Sequence, residues 1–109
     1  MDSDVYVSLQ GQLSQFRMEE IIYVEHSSRA VFIHTICGVT YIPYTSLDRV
    51  KQALGDDYLC QCHKSFLVNR LFIERIDRGK NQIVLKNYMG KLSMGRKYRE
   101  GFLKKLHYN

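Results

Sequence analysis

Apolar and polar positions alternate in the opening VYVSLQG, and the later stretch IIYVEHSSRAVFIHTICGVTYIPY breaks into short β-branched and aromatic runs at His-Ser-Ser-Arg and Cys-Gly. A period of two with such residues predicts strands joined by turns. The period then changes. In YTSLDRVKQALG, Leu47, Val50 and Leu54 recur at i, i+3 and i+7 and would line one face of a helix over residues 46–54. Thr45 and Asp48 have capping-box spacing at its start, and Gly55 stands ready to end it. After the Gly55-Asp56-Asp57 turn, residues 58–68 read as one strand, with a turn at Asn69 and Arg70. LFIERI, QIVLK and KLSM follow as extended segments separated by RGKN and NYMG, whose Gly and Asn residues tolerate the positive φ of tight hairpins. At the end, Tyr98, Phe102 and Leu106 have the spacing of a short amphipathic helix, which Gly101 weakens by about 1 kcal/mol. The pattern predicts a mainly β fold with two short helices.

A chain of 109 residues is long enough for one hydrophobic core but not for two independent ones, so residues 1–109 are read as a single domain. No repeat, linker or low-complexity stretch interrupts it. The longest apolar runs are pieces such as AVFI, far short of a bilayer span, and the N-terminus has no basic region followed by an apolar stretch. The chain therefore reads as soluble and cytoplasmic. Three cysteines, Cys37, Cys60 and Cys62, without a signal peptide point to reduced thiols and not to a disulfide scaffold.

Charge changes the picture once it is divided along the chain. Residues 1–58 carry four basic against eight acidic side chains, a net −4, whereas residues 59–109 carry twelve against three, a net +9. Concentrated basicity of this kind is an electrostatic footprint for a polyanion, although a solvated basic surface produces the same count.

Candidate chemistry is sparse. Cys60, Cys62 and His63 are all zinc-capable residue types, but in a strand Cys60 and Cys62 share one face while His63 points to the other, and the usual ligand-pair spacing is absent. The cysteines read as core residues. Cys62 and His63 diverge for the same reason and make no nucleophile and base pair, no glycine loop cradles a phosphate, and His26, His34 and His107 are isolated, with surface or turn roles. No catalytic residue, cofactor or metal ion is indicated. The strand aromatics fit a core better than a stacking platform for single-stranded nucleic acid. SFLVNRLFI leaves no polar face for a recognition helix.

YLCQCHKSFLVNRLFIERIDRGKNQIVLKNYMGKLSMGRKYREGFLKKL resembles the LytTR-type (LytR/AlgR family) DNA-binding domain of bacterial response regulators. The Cys-His-Lys-Ser-aromatic-Leu-Val-Asn core, the IERI segment, a strand pair and Arg-Lys-Tyr before the last helix occur in the family's order. MEEIIYVEHSSRAVFIHT is similar to the family's first block, so the likeness spans nearly the whole chain. The resemblance implies an elongated, multi-stranded antiparallel β fold that reads duplex DNA with loops, binding in pairs on direct repeats with loops in successive major grooves. It implies DNA contacts at Ser27, Ser28 and Arg29, at His63, Lys64 and Ser65, at Asn69 and Arg70, and at Arg96 and Lys97, with His63 and Asn69 ordering the loops. Arg suits bidentate contact with a guanine edge, and Lys and Ser suit phosphate. Ser93-Met94-Gly95-Arg96 departs from the family's Pro-Val-Ser-Arg, and Gly95 there predicts a less constrained loop.

The sequence thus reads as a sequence-specific double-stranded DNA binder acting as a bacterial transcriptional regulator. It would stand alone or form the output piece of a protein with a receiver domain, linked to a sensor kinase pathway. The alternatives are an RNA or single-strand binding β module and a protein-interaction module with a basic face.

Overall fold

The computed structural model describes residues 4–9, 11–55 and 58–106. The expected turn at Asp56-Asp57 and His107 lie outside the described residues. The chain opens with a hairpin, β1 (Asp4–Leu9) and β2 (Gln12–Arg17), followed by β3 (Ile21–Ser27), β4 (Ala30–Thr35), β5 (Gly38–Pro43) and helix α1 (Leu47–Leu54). Next come β6 (Leu59–His63), β7 (Phe66–Asn69), β8 (Ile73–Asp77), β9 (Gln82–Leu85), β10 (Lys91–Ser93) and helix α2 (Arg99–Lys105). All strand pairs are antiparallel. β5-β4-β3-β7-β6 form a central sheet and β10-β9-β8 a smaller one. The fold is mainly β with two short helices, as the hydrophobic pattern predicts, and measures 42 × 33 × 23 Å.

The central sheet carries a core on each face, so the two clusters share one sheet and are not independent, while Val39 and Tyr41 of β5 stay exposed. Val24, Val31, Ile33, Ile42, Leu59 and Leu67 pack with α1 and the β1–β2 hairpin on one side. Val68, Cys60 and Cys62 pack with the small sheet and with Phe102 of α2 on the other. A register shift between Ile21 and Tyr23 lets the adjacent Ile22 and Tyr23 join the same core while Ile21 and Val24 enter the other, as a β-bulge re-aims side chains. The cysteines behave as core hydrophobes: Cys60 and Cys62 are buried, and burial pushes the Cys62 thiol up to about 12. Desolvation disfavours a thiolate there.

The structure differs from the sequence pattern in three places. Residues 58–68 do not form one strand but a hairpin, β6 and β7, turning at Lys64-Ser65. No Gly, Asn or Pro marks that turn; His63 replaces them, its Nδ1 accepting a hydrogen bond from the Ser65 N–H at 3.0 Å. The α1 cap is one residue later than the Thr45-Asp48 spacing suggests. Ser46 is the cap and accepts from the Arg49 N–H at 3.2 Å, while Thr45 is buried. His34 lies in β4, not on a turn, stacked on Tyr23 with ring centroids 4.1 Å apart. Burial holds its imidazole below the ordinary histidine range, partly offset by Glu25.

Asn69 occupies the point where the chain leaves the central sheet for the small one. Its Nδ2 donates to the Met18 and Ile21 carbonyls at 2.9 and 2.8 Å, and its Oδ1 accepts from the Leu71 N–H at 2.9 Å. The last bond caps the 3-10 turn Arg70–Phe72. Asn69→Ala leaves the carbonyls of the buried Met18 and Ile21 without this donor and removes the cap on the Leu71 N–H, and is expected to cost about 3 kcal/mol. Urea denaturation of the two proteins measures it, and a loss within the scatter of ordinary surface substitutions would remove this role.

Candidate nucleic-acid interface

One end of the central sheet gathers the turns that carry the predicted contact residues. Ser28 and Arg29 connect β3 to β4 with φ of 52° and 64°, the two positive values of a two-residue type I′ hairpin turn. Side chains cannot fold back over so short a turn. Ser27, Ser28 and Arg29 are all exposed there. The His63 ring holds the neighbouring β6–β7 turn and leaves Lys64 exposed. Arg96 and Lys97 project from the segment between β10 and α2.

Backbone hydrogen bonds tie these turns to one another. The His26 N–H donates to the Ser65 carbonyl at 2.9 Å, joining β3 beside its turn to the β6–β7 turn. The Gly95 N–H donates to the Cys62 carbonyl at 2.8 Å, joining that hairpin to the Arg96 segment. Asn81 extends the row: its carbonyl accepts from the Met94 N–H at 3.0 Å and its Nδ2 donates to the Met94 carbonyl at 2.7 Å. The β8–β9 hairpin turn, with Arg78 and Lys80 exposed, thereby joins the same end of the molecule. Those two cations were not among the residues singled out from sequence. RGKN contained the signal, but its Gly and Asn explained the segment fully as a turn.

Gly95 does the opposite of loosening its loop. Its φ is not in the left-handed region, so conformational freedom is not what the position uses. A Cβ there would lie 3.3 Å from the His63 Cα and 3.2 Å from Tyr98 Cδ2. The missing side chain lets the Arg96 segment lie directly against β6. His63, Lys64, Gly95, Arg96, Lys97 and Tyr98 together line a hollow of about 400 Å³. A second hollow of about 270 Å³ brings the start of α1, with Asp48, beside Lys64 and His26.

The remaining predicted residues are elsewhere. Asn69 is fully buried, and Arg70 is half-buried at the opposite end of β7 from Lys64-Ser65, roughly 13 Å away along four strand residues. The Arg70 N–H is engaged by the Tyr58 carbonyl at 2.9 Å. Neither joins the exposed cations of the loop end, because β7 carries the chain away from that end. Ser65 contributes mainly its backbone, through the two bonds already described.

Arg29, Lys64, Arg96 and Lys97 on tied loops can donate to phosphate oxygens and base edges, with guanidinium groups suited to bidentate contacts. Among the described residues, no three His, Cys, Asp or Glu side chains gather as a metal ion would require, and no helix is long and apolar enough to cross a membrane.

Comparison with known proteins adds two findings. A family model described as LytTr DNA-binding domain matches residues 11–107. The fold is similar to the LytTr DNA-binding domain of a Bacillus cereus protein described as a methyl-accepting/DNA response regulator. The TM-score is 0.78 at 20% identity, over 99% of this chain and 100% of that one. No curated protein matches the chain.

Gly95→Ala is expected to destabilise the domain by about 1–3 kcal/mol through overpacking. Gly101→Ala, with open space around it inside α2, should stabilise by roughly 0.5–1 kcal/mol. Thermal unfolding of both variants checks the contrast, and equal effects would dismiss the close approach at Gly95.

Proposed function

The chain belongs to the LytTr DNA-binding domain family, and from that membership we propose that it recognises specific sequences in double-stranded DNA as part of a bacterial transcriptional regulator. The observation that carries the site is the hydrogen-bonded row of turns presenting Arg29, Lys64, Arg96 and Lys97 at one end of the sheet. Loops fixed to one another hold their cations at set spacings without having to be ordered on binding, which limits the entropic cost of association. Arg96 reads a base edge, whereas Lys64 and Lys97 hold phosphates. His63 orders its turn through Ser65. Duplex is favoured over single strands because the cations sit on projecting turns, while Tyr23 and Phe66 of the sheet pack into a core and do not form a free stacking platform. Two copies occupy a direct repeat side by side, with their loops in successive major grooves. A receiver domain responding to a sensor kinase would supply the signal, and the regulator would work in the cytoplasm.

Binding should weaken steeply with salt. If about six phosphates are neutralised, affinity falls roughly a thousandfold between about 50 and 200 mM salt. Fluorescence anisotropy on labelled duplex measures this, and a salt-insensitive complex would contradict phosphate contact as its basis.

Selection of bound duplexes from a random library supplies the site on which variants are compared. Arg96→Ala is expected to lose about 1–3 kcal/mol on the selected sequence and to relax preference there, while Lys64→Ala weakens selected and random duplexes alike. Equal losses for Arg96→Ala on both duplexes would strip it of base reading, and a library without enrichment would overturn sequence specificity.

A further inference from the structure

The central sheet has two edges, and only one of them is defended. At the β6 edge, the Cys62 carbonyl accepts the Gly95 N–H and α2 packs alongside. In the small sheet, β8 is interrupted by a register shift between Ile73 and Arg75 and carries Glu74, Arg75 and Asp77, and β10 is three residues long with Lys91. Short length, bulges, charge and cover are the devices that keep sheet edges from pairing. Among the described residues, β5 has none of them along its middle. It runs for six residues in unbroken register with β4, from Ala30↔Pro43 to Thr35↔Gly38. From Thr35 to Leu47 the sequence contains no charged residue, in a chain of which 25% is charged and whose net charge is +5. Two copies can therefore approach along this strand without meeting like charges. Val39 and Tyr41 on it are 57% and 56% exposed.

The phase of the hydrogen bonds decides what this edge can accept. Thr35 and Gly38 flank a two-residue turn, which closes on a hydrogen-bonded pair, and such pairs alternate along an antiparallel ladder. Ile33↔Thr40 and Val31↔Ile42 accordingly bond inward. The Tyr44 N–H donating to the Arg29 carbonyl at 2.8 Å has the same phase. The N–H and C=O groups of Val39 and Tyr41 thus face outward, and Pro43 ends the edge with no donor to offer.

We propose that β5 pairs antiparallel with β5 of a second copy of this chain, centred on Thr40, making one continuous sheet across two molecules. In that register Val39 lies opposite the partner copy's Tyr41 and Tyr41 opposite its Val39, so every outward N–H meets an outward C=O. The Val39 and Tyr41 side chains of both copies then share one face, extending the contact between Tyr41 and Phe32, whose rings are 5.3 Å apart. A two-fold contact of this kind is closed and self-complementary. It also reverses one copy relative to the other. Resting on the DNA reading above, the two loop ends point in opposite directions, so the pair engages two separate DNA segments and is distinct from side-by-side occupancy of a direct repeat.

Sedimentation equilibrium of the protein without DNA tests the pairing apart from any DNA reading. The mass should rise with concentration from that of the 12.9 kDa chain towards twice that value, and the Val39→Lys/Tyr41→Lys double variant, folded by circular dichroism, should remain at the single-chain mass. In a Cys37→Ser background, Thr40→Cys places two thiols across the two-fold on a non-hydrogen-bonded pair, with Cα atoms about 4.5 Å apart, within disulfide reach. Mild oxidation should link it into a covalent dimer, whereas Gln52→Cys, exposed on α1, should not link. A wild-type mass that stays at one chain overturns the proposal. So does a dimer untouched by the two lysines, or a Thr40→Cys protein that links no faster than Gln52→Cys.

Discussion

The buried carboxamide of Asn69 is the contact on which the layering depends. A side-chain amide offers donors and an acceptor in one plane, and here the described bonds use both ends of it. Its NH₂ group fixes the chain entering β3, whereas its oxygen fixes the 3-10 turn by which β7 departs for β8. A hydrophobic residue could fill the same space but could not hold two backbone directions at once. Because the turn is fixed, the small sheet comes down on the Cys60, Cys62 and Val68 face and closes the second core. That closure brings β10 and the start of α2 against β6.

The loop end follows from this closure. Gly95 reaches the Cys62 carbonyl because the small sheet has been set at the right height and because nothing projects from its own Cα. Arg96 is then carried next to Lys64, although the two are far apart in sequence. Like charges brought together repel, and the arrangement persists because both side chains reach solvent, where screening is strong. A polyanion would relieve that repulsion on binding. The same proximity that slightly disfavours the free protein thus favours a complex with phosphates.

The two edges of the central sheet illustrate how function and solubility share one structure. The edge nearest the Arg96 segment is consumed in building the interface, since covering it is what positions the loop. The far edge, β5, is left uncharged and regular.

Local pattern fixed a good deal of this protein. The period of two in residues 21–43, the helical spacing of Leu47, Val50 and Leu54, and the Gly and Asn turns near residues 78–90 are short-range signals, and each corresponds to an element of the fold. The order of motifs likewise marked Arg29, Lys64, Arg96 and Lys97, whose turns the fold collects at one end. Other features required the folded chain. The turn at Lys64-Ser65 was hidden because a His63 ring nitrogen, and not a turn-forming backbone, stabilises it. Gly95 read as freedom until the β6 backbone was seen at its Cα. Asn69 and Arg70 belonged to the same motif as Lys64, but a strand carries them to the other end of β7, and the Asn81 bonds to Met94 bring the turn of Arg78 and Lys80 to the loop end. Sequence by itself determined most of the strands, both helices and the Gly and Asn turns, because those depend on backbone preferences and periodicity over a few positions. Tertiary structure alone decided which turns meet, because that depends on how two cores on opposite faces of one sheet are closed.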